Sequence, residues 1–293
     1  MFKINGVVPP MITPFKENGD LDEKGLETLV DFLSEEVDGL FITGSYGSGA
    51  LMNIEERKKV AEISYEVSNG RIPIITMVGT TNTKESIELA KHSEEIGISA
   101  IAAVGPYYYE HNQEDLIVFY EDLINSVDIP VYLYNNPKFQ GYEIDLETLK
   151  TLKKKGLAGI KDATFDILTH ATYHRVLKDE NFDIVLGTEA MWASARALGC
   201  EAFIPGLANA FPEINKKMYE EGMDGKVEAC RETQFIVNEL RDVMYLARST
   251  QLAVYAMLEI RGIIKAYPRA PFIPATDEEK AAIKKELIRL EMI

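Results

Sequence analysis

Eight short apolar runs, each followed by a longer amphipathic stretch, set the strongest limit on what this chain can become. The runs cover Gly6–Phe15, Gly39–Gly44, Ile72–Gly79, Ala100–Tyr108, Pro130–Asn135, Leu157–Ala163, Phe182–Gly187 and Ala202–Leu207. Several, such as IPIITMVG and IPVYLYN, are apolar on both parities. That pattern marks strands buried on both faces, as in parallel sheets. Between them, Asp22–Glu36, Ile54–Ser68, Lys84–Ile96, Gln113–Val127, Leu146–Lys155, Ile167–Lys178 and Ala190–Leu198 show helical spacing of apolar residues. Asn53 and Asp145 stand at N-cap positions, and Gly156 and Gly199 where helices should stop. Right-handed βαβ units repeated eight times close into a (β/α)8 TIM barrel more naturally than they form an open doubly wound sheet, the runner-up. After the eighth run the pattern from Pro212 to Ile264 is helical. Pro268, Pro271 and Pro274 break it, and Thr276–Met292 reads as a last charged helix. The expected division is a catalytic barrel over 1–222 and a helical extension over 223–293.

Charge narrows the partners. The 293 residues carry 31 Lys+Arg against 47 Asp+Glu, a net charge of −16. A strongly acidic chain is ill suited to a phosphate backbone or an anionic membrane surface. Any anionic substrate must therefore be held by a local site. Cys200 and Cys230 are too few for a disulfide scaffold and suit a reducing compartment. The stretch MFKINGVVPPMITPF is not expected to be a signal peptide, and no run approaches the ~20 apolar residues of a membrane span. The expected setting is the cytoplasm.

A barrel concentrates chemistry at the C-terminal ends of its strands. Lys161, in LAGIKDAT, is the most unusual residue there. A buried ammonium must be paired or deprotonated. Lys161 is thus either half of a buried Lys–Asp pair, a strand end that reaches water, or an amine nucleophile whose pKa burial lowers. The second run ends in ITGSYGSGALMNIEER, a Gly/Ser loop whose N–H groups could hold a carboxylate or phosphate. It is neither a Walker loop nor GxGxxG. Tyrosines in GPYYYEH (Tyr107–Tyr109) and YLYNNPKFQG (Tyr132, Tyr134) are either rim packing or proton carriers. His170 and His174 have a metal-compatible i, i+4 spacing in HATYH, yet no Glu follows as in HExxH and the segment reads as an outer helix, so no metal is expected. No GxSxG elbow is present.

Read in order, these segments resemble the dihydrodipicolinate synthase/N-acetylneuraminate lyase family of pyruvate-dependent class I aldolases. TPFKENGDLD at 13–22, GSYGS at 44–48 followed by LMNIEER, PYY at 106–108, YLYNNP at 132–137, GIKDAT at 159–164, GTE at 187–189 and AFIPGLAN at 202–209 carry the likeness over nearly the whole chain. The resemblance implies a Schiff-base lysine at Lys161, a proton-relaying tyrosine at Tyr134 and a carboxylate-binding hydroxyl at Ser45. It also implies a tyrosine, Tyr108, that reaches into a neighbouring subunit, hence a dimer of dimers. Gly44, Tyr46, Gly47, Gly187 and Ile204 would line the substrate site.

Departures from the family pattern bear on the substrate. Phe139 stands where the synthase has a carboxylate-binding arginine, and a phenyl ring forms no bidentate pair. Ala163 stands where the sialic acid lyase has a threonine. Glu189 keeps the first acid of that lyase's Asp-Glu pair, and Ala190 loses the second. Tyr46 and Ser48 replace the loop's second hydroxyl residue and its glutamate. The expected function is a class I aldolase or lyase acting on a 2-keto-3-deoxy sugar acid, with no cofactor beyond the imine and with Glu189 meeting sugar hydroxyls. The alternatives are 4-hydroxy-tetrahydrodipicolinate synthase, N-acetylneuraminate lyase, a dehydratase of the same family, a non-catalytic keto-acid-binding barrel and, least of these, a phosphate-handling isomerase.

Overall fold

Parallel pairing buries both faces of a strand, and the continuously apolar runs satisfy that demand. A computed structural model describes residues 2–293. The strands are β1 (Gly6–Val7), β2 (Leu40–Ile42), β3 (Ile74–Met77), β4 (Ala100–Val104), β5 (Val131–Asn135), β6 (Gly159–Asp162), β7 (Asp183–Leu186) and β8 (Ala202–Phe203). They form one parallel sheet in the order β1-β8-β7-β6-β5-β4-β3-β2. The sheet closes on itself between β2 and the segment after β1. There Phe41 N–H donates to Pro9 O at 3.0 Å and Met11 N–H to Phe41 O at 2.9 Å. The architecture is the expected (β/α)8 barrel with helices between the strands and further helices at the C-terminal end.

The helices are α1 (Glu23–Glu36), α2 (Ile54–Ser68), α3 (Thr83–Glu95), α4 (Gln113–Ile124), α5 (Pro137–Gln140), α6 (Leu146–Lys154), α7 (Ile167–Leu177), α8 (Trp192–Ala197), α9 (Pro212–Met223), α10 (Val227–Met244), α11 (Thr250–Ile260) and α12 (Asp277–Arg289). Asn53 and Glu56 form a reciprocal capping box on α2, and Asp145 accepts the Thr148 N–H on α6. Gly156 and Gly199 take φ of +106° and +94°, the left-handed conformation that ends a helix. All eight strands are shorter than the sequence runs, β1 and β8 most of all. Pro9, Pro10 and Pro14 have no N–H to give a ladder, so β1 stops at Val7; β8 turns at Pro205 into a short 3₁₀ helix over Gly206–Asn209. The helical turn of α5 falls inside a segment the periodicity leaves as a loop.

Side chains alternate across the barrel wall. Phe41, Tyr132, Tyr134 and Val185 fill the interior, and Ala100 and Ala102 leave room for those rings. Low in the barrel, Tyr132 donates to Asp183, whose Oδ2 also accepts the Ile4 N–H at 3.1 Å. The outward residues of the same strands pack on the helices. The C-terminal helices share a core with the barrel: Leu240, Met244 and Leu252 belong to the cluster that holds Trp192 and Phe203. Among the described residues no helix is long and apolar enough to cross a membrane.

The loop after β2 depends on one small residue. A Cβ on Gly49 would lie 1.9 Å from the Thr43 carbonyl oxygen. Gly49→Ala is expected to cost at least about 1–3 kcal/mol, the usual range for overpacking, read as a lower denaturant midpoint; an unchanged midpoint contradicts this packing.

Candidate active site

Strand parity sends Lys161 of β6 into the barrel and its neighbour Asp162 outward. Asp162 is occupied there by Thr164 and by His170, whose Nδ1 lies 2.8 Å from Asp162 Oδ2. A Lys161–Asp162 pair is therefore not formed. Lys161 is only 3 % exposed, so it does not reach bulk water either. Its Nζ sits 3.8 Å from the centre of the Phe41 ring and 3.9 Å from that of Tyr134. Among the described residues no carboxylate pairs with it, and burial holds its pKa well below the usual lysine value.

Tyr134 is the register partner of Lys161 on the adjacent strand β5. Its ring meets Phe41 edge to face at 5.8 Å. The phenol oxygen lies 3.4 Å from Ser45 Oγ and accepts from Asn136 Nδ2 at 2.9 Å. Burial raises its pKa, and the bonds to Ser45 and Asn136 partly offset this. A neutral phenol so placed can donate a proton, and two donors stand ready to stabilise the phenolate that results.

Ser45 lies in the tight loop that follows β2. Thr43 and Ser48 adopt positive φ of 54° and 55°, and the Thr13 hydroxyl donates to Gly47 O at 2.7 Å. Tyr46 turns toward the C-terminal helices: its hydroxyl donates to Thr250 Oγ1 at 2.9 Å. Gln251 Nε2 donates to both Tyr46 O and Ser48 Oγ, at 2.8 and 2.7 Å. Ser48 therefore faces a helix, where the sequence expectation concerned only the pocket.

These groups line a cavity of about 440 Å³ at the C-terminal end of the strands. Lys161, Tyr134, Ser45, Tyr46, Phe139, Gly187, Glu189 and Ile204 all face it. Gly44 and Gly47 shape the loop behind Ser45 without lining the cavity, and Tyr108 stands apart from it, 86 % exposed. Phe139 sits at the mouth with Lys138. Glu189 is buried and occupied: one oxygen accepts the Gly206 N–H at 3.0 Å and the other pairs with Arg241. Both Glu189 oxygens are thus already engaged, and Arg241 beside it can only donate to substrate oxygens. Asn136, Thr188, Arg241, Arg248, Thr250 and Gln251 were not singled out from the sequence. Four of these come from the C-terminal helical region, where no local motif marks them and only the fold turns them toward the strand ends.

A model of the dihydrodipicolinate synthetase family matches residues 3–290. The chain is 30% identical to a 4-hydroxy-tetrahydrodipicolinate synthase of Archaeoglobus fulgidus over 98% of this chain and 99% of that protein. It is also 30% identical to a probable 2-dehydro-3-deoxy-D-pentonate aldolase of Escherichia coli, over 96% and 95%. A crystal structure of an E. coli K12 prophage protein of the dihydrodipicolinic acid synthase family, in complex with pyruvate, superposes with a TM-score of 0.94 at 27% identity, covering 99% of both chains.

Burial disfavours the charged form of Lys161, so its protonation opposes folding below the ordinary lysine pKa of about 10.4. This cost is present at neutral pH and disappears as pH rises toward that value. Lys161→Met is expected to denature at a higher temperature than the parent at pH 7, with a gap that narrows by about pH 10. A lower midpoint, or a gap independent of pH, contradicts a depressed pKa at Lys161.

Proposed function

The chain belongs to the dihydrodipicolinate synthetase family, and on that premise we propose that it cleaves or forms a 2-keto-3-deoxy sugar acid through an imine on Lys161. As a member it is a pyruvate-dependent lyase, so the reading as a non-catalytic keto-acid binder falls away. The observation that carries the mechanism is the buried, unpaired Lys161 amine beside Tyr134 at the floor of the cavity.

In the cleavage direction, the Lys161 amine adds to the C2 carbonyl and water leaves, giving an iminium. Tyr134 gives its phenol proton to the departing C2 oxygen, and the phenolate, held by Ser45 and Asn136, then takes the C4 hydroxyl proton as the C3–C4 bond breaks. The aldehyde departs, and the electron pair moves into the iminium to form an enamine. Protonation at C3 and addition of water then release pyruvate and restore the amine. Ser45 and the amides of the 44–48 loop hold the pyruvate carboxylate, and Ser45 links Tyr134 to that end of the substrate. No metal or organic cofactor enters these steps. Tyr108, held outward at φ 84° against Tyr109, would complete a neighbouring subunit's site in a dimer of dimers. Both thiols are free and buried, as suits the cytoplasm.

The second half of the substrate meets Thr188, Ser249, Thr250 and Gln251, a lining of hydroxyls and an amide suited to a hydroxylated chain. The E. coli pentonate aldolase relative supports this choice. The synthase reading keeps one support besides the A. fulgidus relative: Arg248, which faces Glu279 at 3.6 Å, also borders the cavity and could hold a carboxylate there.

Initial rates separate the two. Pyruvate release from a panel of 2-keto-3-deoxy sugar acids is expected to exceed condensation of pyruvate with aspartate semialdehyde, and Tyr134→Phe is expected to lower kcat by about 10²–10⁴-fold, the usual worth of a general acid–base group. Faster turnover with the semialdehyde overturns the sugar-acid assignment, and an unimpaired Tyr134→Phe overturns the proton relay.

A further inference from the structure

Three side chains outside the cavity converge behind β6. On α7, the HATYH spacing places His170 and His174 one turn apart, with ring centres 4.8 Å from each other. Cys200 follows the left-handed turn at Gly199, is fully buried, and leads into β8. One donor atom from each of the three can be chosen so that all lie within 4.8 Å of one another.

The hydrogen bonding of the cluster is incomplete in a specific way. His170 Nδ1 faces Asp162 Oδ2 at 2.8 Å, which fixes that nitrogen as the donor and leaves Nε2 as the atom that would lose any proton on binding a metal ion. His170 Nε2 and both ring nitrogens of His174 are buried without a hydrogen-bond partner among the described residues. Buried polar atoms in folded proteins are nearly always satisfied by protein, water or an ion, so three orphans around one thiol call for an occupant. An imidazole held by a carboxylate, a second imidazole and a thiolate make a borderline-soft donor set. Carboxylate–histidine pairs of this kind commonly stand behind metal ligands.

We propose that His170, His174 and Cys200 form a binding site for a zinc-class divalent ion, with Asp162 orienting His170. At ordinary zinc bond lengths tetrahedral donors stand about 3.3–3.6 Å apart, so binding draws the three donors together from their present spacing of up to 4.8 Å. Binding takes the thiol proton from Cys200 to solvent and replaces its contacts to Ile184 O and Ala202 O. Water fills the fourth position. A nearby cation, Lys178, is engaged by Glu201 and the Gly199 carbonyl. The site lies across the barrel wall from Lys161, so it clamps α7 to the start of β8 and takes no part in the imine chemistry. It does not rest on the substrate assignment.

Cobalt(II) alone, titrated into the metal-free full-length protein, tests this. The expected result is a saturable one-to-one signal with tetrahedral visible bands and a near-ultraviolet thiolate-to-cobalt charge-transfer band, displaced by zinc. Cys200→Ser should abolish the charge-transfer band and Cys230→Ser should leave it. His174 makes no hydrogen bond, so His174→Gln should fold normally and raise the cobalt Kd at least about tenfold. No charge-transfer band in the parent, as when water alone bridges the rings, overturns the proposal. So does a band that survives Cys200→Ser or a Kd unchanged in His174→Gln.

Discussion

An amine kept in an apolar barrel without a counter-charge is the constraint on which the rest of this structure depends. Solvation would favour its charged form, so the surroundings must exclude both water and carboxylates. Strand parity does the second, by turning Asp162 to the outside, where His170 and Thr164 occupy it. The rings of Phe41 and Tyr134 do the first, enclosing Nζ between them. Small residues at Ala100 and Ala102 make room for those rings. Gly187 serves the same wall from β7's end, since a Cβ there would lie 2.6 Å from Asp162 O.

The upper half of the site is assembled from distant parts of the chain. The loop after β2 cannot hold its shape alone: it leans on Thr13 beneath and on Thr250 and Gln251 of α11. Glu189 ties Gly206, after β8, to Arg241 of α10. Such a buried pair is weak evidence of stability, because desolvation offsets attraction. Its clearer consequence is positional, fixing a guanidinium at the cavity edge. The C-terminal helices are thus part of the pocket wall, and their side chains meet whatever extends beyond the pyruvate portion of a substrate.

Much of this was legible in the residues. Continuous apolarity on both parities marked the parallel strands, and Asn53, Asp145, Gly156 and Gly199 marked helix ends. Lys161 stood out because a cation inside an apolar run demands an explanation. What stayed hidden required long-range placement. Nothing near Arg241 signals that it meets Glu189, 52 residues earlier. Tyr46 lines the cavity as its loop position implied, but nothing local signals that its hydroxyl donates to Thr250. His170 and His174 looked like an ordinary outer-helix pair until the fold brought Cys200 beside them.

Reductive trapping shows whether Lys161 carries the iminium that serves as electron sink. Incubation with pyruvate and borohydride, followed by peptide mass analysis, should place a single pyruvate-derived addition on Lys161, and Lys161→Ala should remain unmodified. A parent enzyme that gains no adduct, or an adduct that persists in Lys161→Ala, would contradict the account.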